Sequence, residues 1–220
     1  MRGLGLLARF SYRLSRHRLL GLPLDGVAGA LAGGATLYAV IMAIVAGRWP
    51  IHLPFVAALG LWSLVALNMR WRGFLVYRPV STEELRGPQL PPFEKIPVRG
   101  CGLFQVHGRT RRFVEAPGTL EATELGDRVL MVKVQPVSLL GLMASPEEEW
   151  GWWYVVFRPE ELMSVETGEI YFGWQPRAAL RLVHRAAEQP VTYLSFDDVA
   201  ARDRVARDLR WAGAEPGRSA

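Results

Sequence analysis

The sequence predicts an N-terminal transmembrane α hairpin followed by a mostly β domain that one C-terminal helix closes. Three observations carry this. Gly26–Gly47 is a run of 22 residues without a charge, and at about 1.5 Å per residue it reaches about 33 Å, enough for a hydrocarbon core of roughly 30 Å. Trp49–Met69 is a second apolar run in which His52 is the one ionisable residue. From Val98 onward, short β-branched and aromatic segments alternate with turn signals until a helix-patterned stretch near the end.

Residues 1–24 carry five arginines and no acid. On a helical wheel Arg2, Arg9, Arg13 and Arg16 share one sector, while Leu7, Phe10 and Leu14 cluster elsewhere with Leu4 beside them. This is the pattern of a helix lying in the membrane interface with arginine toward anionic head groups. A plain basic topogenic tail is the alternative.

Residues 25–72 form the hairpin, with spans at about 26–47 and 49–69 joined by Gly47-Arg48-Trp49-Pro50. The competing readings are buried helices of a soluble core, or a signal peptide on the first run. A signal core of about 7–15 residues is shorter than this run. Five arginines precede the first span, Arg70, Arg72 and Arg78 follow the second, and the loop has Arg48 alone. The positive-inside rule then places both termini and the soluble domain on the cytoplasmic side of the cell membrane. Small residues recur on the first span at Gly26, Ala30 and Gly34 and at Gly29 and Gly33. Such spacing lets another helix approach closely, whether the chain's own second span, a second copy or a larger membrane protein.

Residues 73–97 read as an extended linker, since Pro79, Pro88, Pro91, Pro92 and Pro97 exclude a long helix; a short turn at Ser81–Leu85 is allowed. The β domain spans 98–213, with 214–220 as a tail. Candidate strands are 102–106, 111–115, 119–125, 128–134, 152–157, 162–166, 170–174, 179–184 and 192–196, of which one or two fuse or drop out, leaving about seven. Asp197 and Asp198 supply N-cap chemistry for a helix ending before Gly213, with Ala201, Val205 and Leu209 facing inward and Arg202, Asp203, Arg204, Arg207 and Asp208 marking its exposed side. The expected core includes Phe104, Val106, Phe113, Leu120, Val129, Met131, Val155, Phe157, Leu182, Leu194, Phe196, Val205 and Leu209.

Charge and motifs narrow the function. The chain's formal charge is +5, but residues 98–220 sum to −2, so the basic excess flanks the apolar runs. That argues against nucleic acid as a partner, because a nucleic-acid domain carries its excess on a folded face. Cys101 is the single cysteine, and the histidines at 17, 52, 107 and 184 lack zinc spacing. No nucleophile elbow, Walker loop or metalloprotease motif occurs. The expectation is a non-enzyme with no catalytic residues, cofactor or metal. His107 and His184 read as surface or edge-strand residues, and Glu147-Glu148-Glu149 as a solvated loop.

Val191–Phe196 (VTYLSF), leading through Asp197-Asp198 into the helix, resembles the last strand and capping helix of bacterial pleckstrin-homology-like (PH-like) domains. Phe157–Val165 (FRPEELMSV) is similar to a strand–turn–strand from the middle of that fold. The resemblance covers about 115 residues and rests on pattern. It implies an open barrel of about seven strands capped by the helix. It also places Arg109, Arg111 and Arg112 on the first hairpin, where lipid-binding members keep their basic cluster. Guanidinium suits phosphate there through paired donors; a solvated strand face and an acidic partner are the other readings. The stretch 136–154, apolar and then rich in tryptophan, touches bilayer, partner or its own core. The functions that remain are a membrane-anchored module docking a protein or anionic lipid, or an accessory or assembly subunit of a larger integral membrane complex. Membrane lipids and another membrane protein are the expected partners.

Overall fold

The computed structural model describes residues 1–19, 22–47, 53–80, 90–106, 109–135, 138–139, 143–144, 150–185 and 191–214. The turn foreseen at Ser81–Leu85, the loop at 48–52, His107, the Glu147–Glu149 run, most of 136–149 and the tail lie outside them.

Helix α1 (Arg2–Ser15) leads through a two-stranded ribbon, β1 (Arg18–Leu19) with β2 (Leu22–Pro23), into α2 (Leu24–Ala46). Pro23 is extended at φ −64°, ψ 134°, and Asp25 sits in the first turn of α2, where the helix dipole favours an acid. Gly47 ends the helix in the left-handed region at φ 63°. Helix α3 (Leu53–Arg72) packs back along α2. Their close approach is at Thr36 and Gly60: the Thr36 hydroxyl donates to Ala32 O at 2.8 Å and lies 3.2 Å from Val56 O. A Cβ built on Gly60 would come within 3.0 Å of the Thr36 Oγ1 atom. Among the described residues, α2 is the helix long and apolar enough to cross a membrane, with 17% of its apolar window buried by the rest of the chain. The apolar part of α3, Pro54–Met69, is shorter.

After α3 come β3 (Val76–Pro79), β4 (Lys95–Val106), β5 (Arg109–Ala122), β6 (Arg128–Val134), a small hairpin of β7 (Ser138–Leu139) and β8 (Met143–Ala144), β9 (Gly151–Phe157), β10 (Leu162–Tyr171), β11 (Pro176–His184), β12 (Val191–Phe196) and α4 (Val199–Ala214). The main sheet has eight strands in the order β3-β10-β11-β12-β4-β5-β6-β9, antiparallel throughout. Two expected pairs of strands have fused, 111–115 with 119–125 into β5 and 162–166 with 170–174 into β10. The sheet also recruits part of the linker. Val76–Pro79 pairs with β10, and β4 begins at Lys95. Pro97 is tolerated because β12 joins β4 only from Arg99, so the missing N–H interrupts no ladder on that side.

The core under α4 contains Leu120, Leu130, Val132, Leu180, Leu182, Leu194, Phe196, Val205 and Leu209, each at most 1% exposed. Val129 and Met131, expected inside, are only half-buried; the inward face of β6 is Arg128, Leu130, Val132 and Val134. The reason is Arg128, which points inward to Asp208. Its Nε donates to Asp208 Oδ2 at 2.7 Å and its Nη2 to Oδ1 at 2.8 Å, while Leu90 N donates to Oδ1 at 2.8 Å. Asp208 is therefore buried and not on the exposed side of α4, and Arg202 is buried too, its Nε donating to Asp203 Oδ1 at 2.8 Å. Asp198 caps the helix, accepting from Ala200 N at 3.1 Å, and α4 runs past Gly213 to Ala214. His184 is buried as well, 3.0 Å from Thr192 Oγ1 and edge-on to the Phe157 ring. The side chains of Phe104 and Val106 lie outside the described set.

Candidate functional site

A second apolar cluster joins α1 to the sheet around Tyr12, Phe74, Cys101, Val114, Ile170 and Ala179. The fit begins at Gly5. Its carbonyl accepts from Gly173 N at 2.9 Å, and a Cβ at position 5 would fall 2.4 Å from Gly173 O, so only glycine allows this approach. Tyr12 packs on Phe74 and Phe172 with ring centroids 5.6 and 5.7 Å away. Its hydroxyl accepts from Val114 N at 3.3 Å and is 3.4 Å from Arg112 O, which places it on the β5 backbone beyond the stretch paired with β6. At the end of α1, Arg16 is buried and donates to Gln135 O at 3.0 Å. On its other side α1 meets α3, with Phe10 and Trp62 rings 6.5 Å apart. The helix thus lies between the helical pair and the sheet.

This docking turns the arginine sector of α1 toward β5, β6 and β11. Arg9, Arg13 and Arg16, at positions i, i+4 and i+7, share one face. With Arg99, Lys133 and Arg177 they line a cleft of about 330 Å³ in which, among the described residues, Glu115 is the one acid. Arg2 is exposed and does not line it. Among the described residues neither Arg9 nor Arg13 has an acidic partner, and the Lys133 ammonium stands 5.6 Å over the Trp152 ring. Val114, Ala116, Pro117 and Phe172 add an apolar wall.

Glu115 sits at a bulge. The β4–β5 register shifts between Gly100 and Gly102, and Glu115 itself has φ 53°, a left-handed conformation uncommon outside glycine. Its N–H donates to Cys101 Sγ at 3.1 Å, and its carboxylate accepts from Ser195 Oγ at 2.6 Å. Arg177 Nε is 3.6 Å and Arg99 Nε 4.0 Å from the same carboxylate. Burial pushes the Glu115 carboxyl above its ordinary range, opposed by the Ser195 bond and the two arginines. Burial also raises the Cys101 thiol, so that cysteine is an inert packing group.

The first-hairpin cluster is built differently. Arg109, Arg111 and Arg112 oppose Val106, Phe104 and Leu103 across β4 and β5. The Arg109 and Arg111 side chains lie outside the described set, and Arg112 is half-buried. On α2, a Cβ at Gly29, Gly33 or Gly34 would meet nothing within 4 Å, and Gly26 and Ala30 are exposed. The small-residue face is open within the chain, and Thr36 makes the contact with α3 instead. Among the described residues no three His, Cys, Asp or Glu side chains gather as metal ligands.

Sequence reasoning found the arginine spacing on α1 but not the residues facing it. Arg99, Glu115, Lys133 and Arg177 are scattered over four strands, and only the fold brings them together. Comparison with protein-family models, curated proteins and solved structures finds no match.

Proposed function

We propose that this chain is a non-enzymatic, membrane-anchored docking module. In this reading α2 and α3 cross the inner membrane as a hairpin, both termini are cytoplasmic, and the β domain meets a protein partner or anionic lipid at the membrane face. The observation that carries it is the exposure of α2. Leu31, Ile44 and Val45 are 71%, 73% and 77% exposed on the chain alone, far more apolar surface than water tolerates on one helix. The uncharged length of α2 and the arginines flanking the two helices support the same arrangement. A PH-like fold is supported by strand order: seven strands from β4 through β12 in one sheet (leaving aside the β7–β8 hairpin), β12 returning beside β4, and α4 packed on the core.

The open small-residue face of α2 favours a second reading, an accessory or assembly subunit whose α2 packs on another membrane protein. Native mass measurement after mild detergent extraction separates the two. A free monomer supports the docking module, and a partner of fixed stoichiometry supports the subunit. Topology is tested by replacing Cys101 and placing single cysteines at Arg2, Arg48 and Glu124. An impermeant thiol reagent should label intact cells only at position 48; labelling at 124 refutes the cytoplasmic placement.

A further inference from the structure

We propose that the cleft between α1 and the sheet binds a phosphate monoester group. Among the described residues, six cationic side chains converge on it and one carboxylate opposes them. That carboxylate is already committed: Glu115 accepts from Ser195 and holds Arg99 and Arg177, so it positions two guanidinium groups more than it repels an incoming anion. Arg177 also pairs with Asp197. Among the described residues, the charge left uncompensated is on Arg9, Arg13 and Lys133, all of them exposed. Arg9 lies beside the β10–β11 turn, where a Cβ built on Gly173 would be 3.4 Å from its Nη1.

The chemistry favours phosphate over a single carboxylate. Guanidinium forks pair two donors with two oxygens, a lysine adds a compact charge, and a monoester offers three oxygens carrying nearly two charges to meet both at once. At about 30 Å³ per water, the cleft holds on the order of ten waters' volume, room for the phosphate and the first atoms of its carrier. The apolar wall of Val114, Pro117 and Phe172 suits that carrier. Two sources present this group, a lipid head group such as that of phosphatidic acid and a soluble phosphate ester. The site is separate from the first-hairpin arginines, and only its lipid source rests on the membrane reading above.

The test uses the full chain in neutral detergent, in two arms. One titrates glycerol 3-phosphate by calorimetry, and the other titrates short-chain phosphatidic acid, with phosphatidylcholine as control, by native mass spectrometry. Saturable binding is expected in at least one arm, and the arm names the source. The R13Q/K133Q pair should weaken it about tenfold or more, because each lost group made charge-assisted bonds. R2Q, on the same side of α1 but outside the cleft, should change it by less than about twofold, as a distant charge screened by solvent does. Arg13 and Lys133 are exposed, so the fold should survive; unchanged far-UV circular dichroism checks this, and R9Q supplies a second variant. Absence of saturable binding in both arms overturns the site, as does an equal loss in R2Q, which would mean diffuse attraction to a basic segment. Neither result bears on the topology or stoichiometry that test the docking function.

Discussion

Asp208→Asn tests how α4 is fastened. The native carboxylate is fully buried and takes two donors from Arg128 and one from Leu90. Asparagine keeps the shape and can still accept from Leu90 N, but it leaves the Arg128 guanidinium, 5% exposed, without its counter-charge. Two charge-assisted bonds at ~1.5–3 kcal/mol each give an upper limit of ~6 kcal/mol. Gly126 O, which accepts from Arg128 Nη1 at 2.7 Å, remains and softens the loss. Removal of one partner from a buried pair costs about 3–5 kcal/mol in general, and the expectation here is ~3 kcal/mol. For a domain of this size that lowers the thermal midpoint by roughly 10 °C. The assay is thermal unfolding of the full chain in detergent by circular dichroism, with hydrogen exchange read on α4 and β6. The double change Arg128→Met with Asp208→Leu should be less harmful than D208N, because apolar replacement of a whole buried pair is often neutral. The orphaned Leu90 N–H would still cost about 1–3 kcal/mol. A D208N variant within about 1 kcal/mol of the native chain, against a typical total of ~5–15 kcal/mol, would refute the claim that this pair fastens the helix.

Gly5→Val should detach α1 from the sheet, because its Cβ would meet Gly173 O; amide exchange at α1 should accelerate while β6 and α4 stay protected. Leu209→Asp should cost several kcal/mol in thermal or denaturant unfolding, at least the ~2–3 kcal/mol of a buried leucine plus the burial of a charge. For pH, burial outweighs the nearby Glu161 and holds the His184 pKa below 6.5. The neutral ring therefore contributes stability above about pH 6.5 that is lost as pH falls toward the folded-state value. His184→Gln should flatten the stability profile across that window relative to the native chain. Glu115 acts with the opposite sign, since its raised pKa favours the protonated folded state as pH falls toward 4.5. A His184→Gln profile parallel to the native one would remove His184 as the source.

Local pattern located the helices and strands well. The charge-free run became α2 almost residue for residue, and Asp198 capped α4 as its chemistry suggested. What failed was parity and partnership. On β6 an inward Val129 and Met131 are as good a hydrophobic pattern as Leu130 and Val132, and an arginine at 128 argues for the wrong choice. It faces inward only because Asp208, 80 residues away, meets it. The same long-range pairing made Asp208 look like a surface residue on a helical wheel. Pro79 and Pro97 marked a linker, yet β3 sits on a sheet edge and the start of β4 has one free side, the places where a strand accepts proline. For the cleft, the periodicity of α1 put three of its cations on one face with Arg2, but read that face as turned to lipid head groups. Their orientation depended on Gly5 and Tyr12, residues whose importance lies in what they touch.

The position of α1 ties the two halves of the chain together. A helix of 14 residues is marginal by itself in water, and two glycines in its first turns weaken it further. Its order must come from contacts: Phe10 with Trp62 on one side, and Gly5, Tyr12 and Arg16 with the sheet on the other. Bringing Arg9, Arg13 and Arg16 beside Lys133, Arg99 and Arg177 also stores repulsion between like charges in that docked state, relieved in part by Glu115. An anion in the cleft would remove the repulsion and bridge α1 to β6, so it would bind the docked helix more tightly than a free one. By linkage its occupancy must then stabilise docking by RT ln(1 + [L]/Kd), about 2.7 kcal/mol at a hundredfold excess over Kd. The segment that the sequence marks as an interfacial basic helix is thereby the element whose docking the proposed phosphate would stabilise, and its Phe10 ring stands 6.5 Å from that of Trp62 on α3.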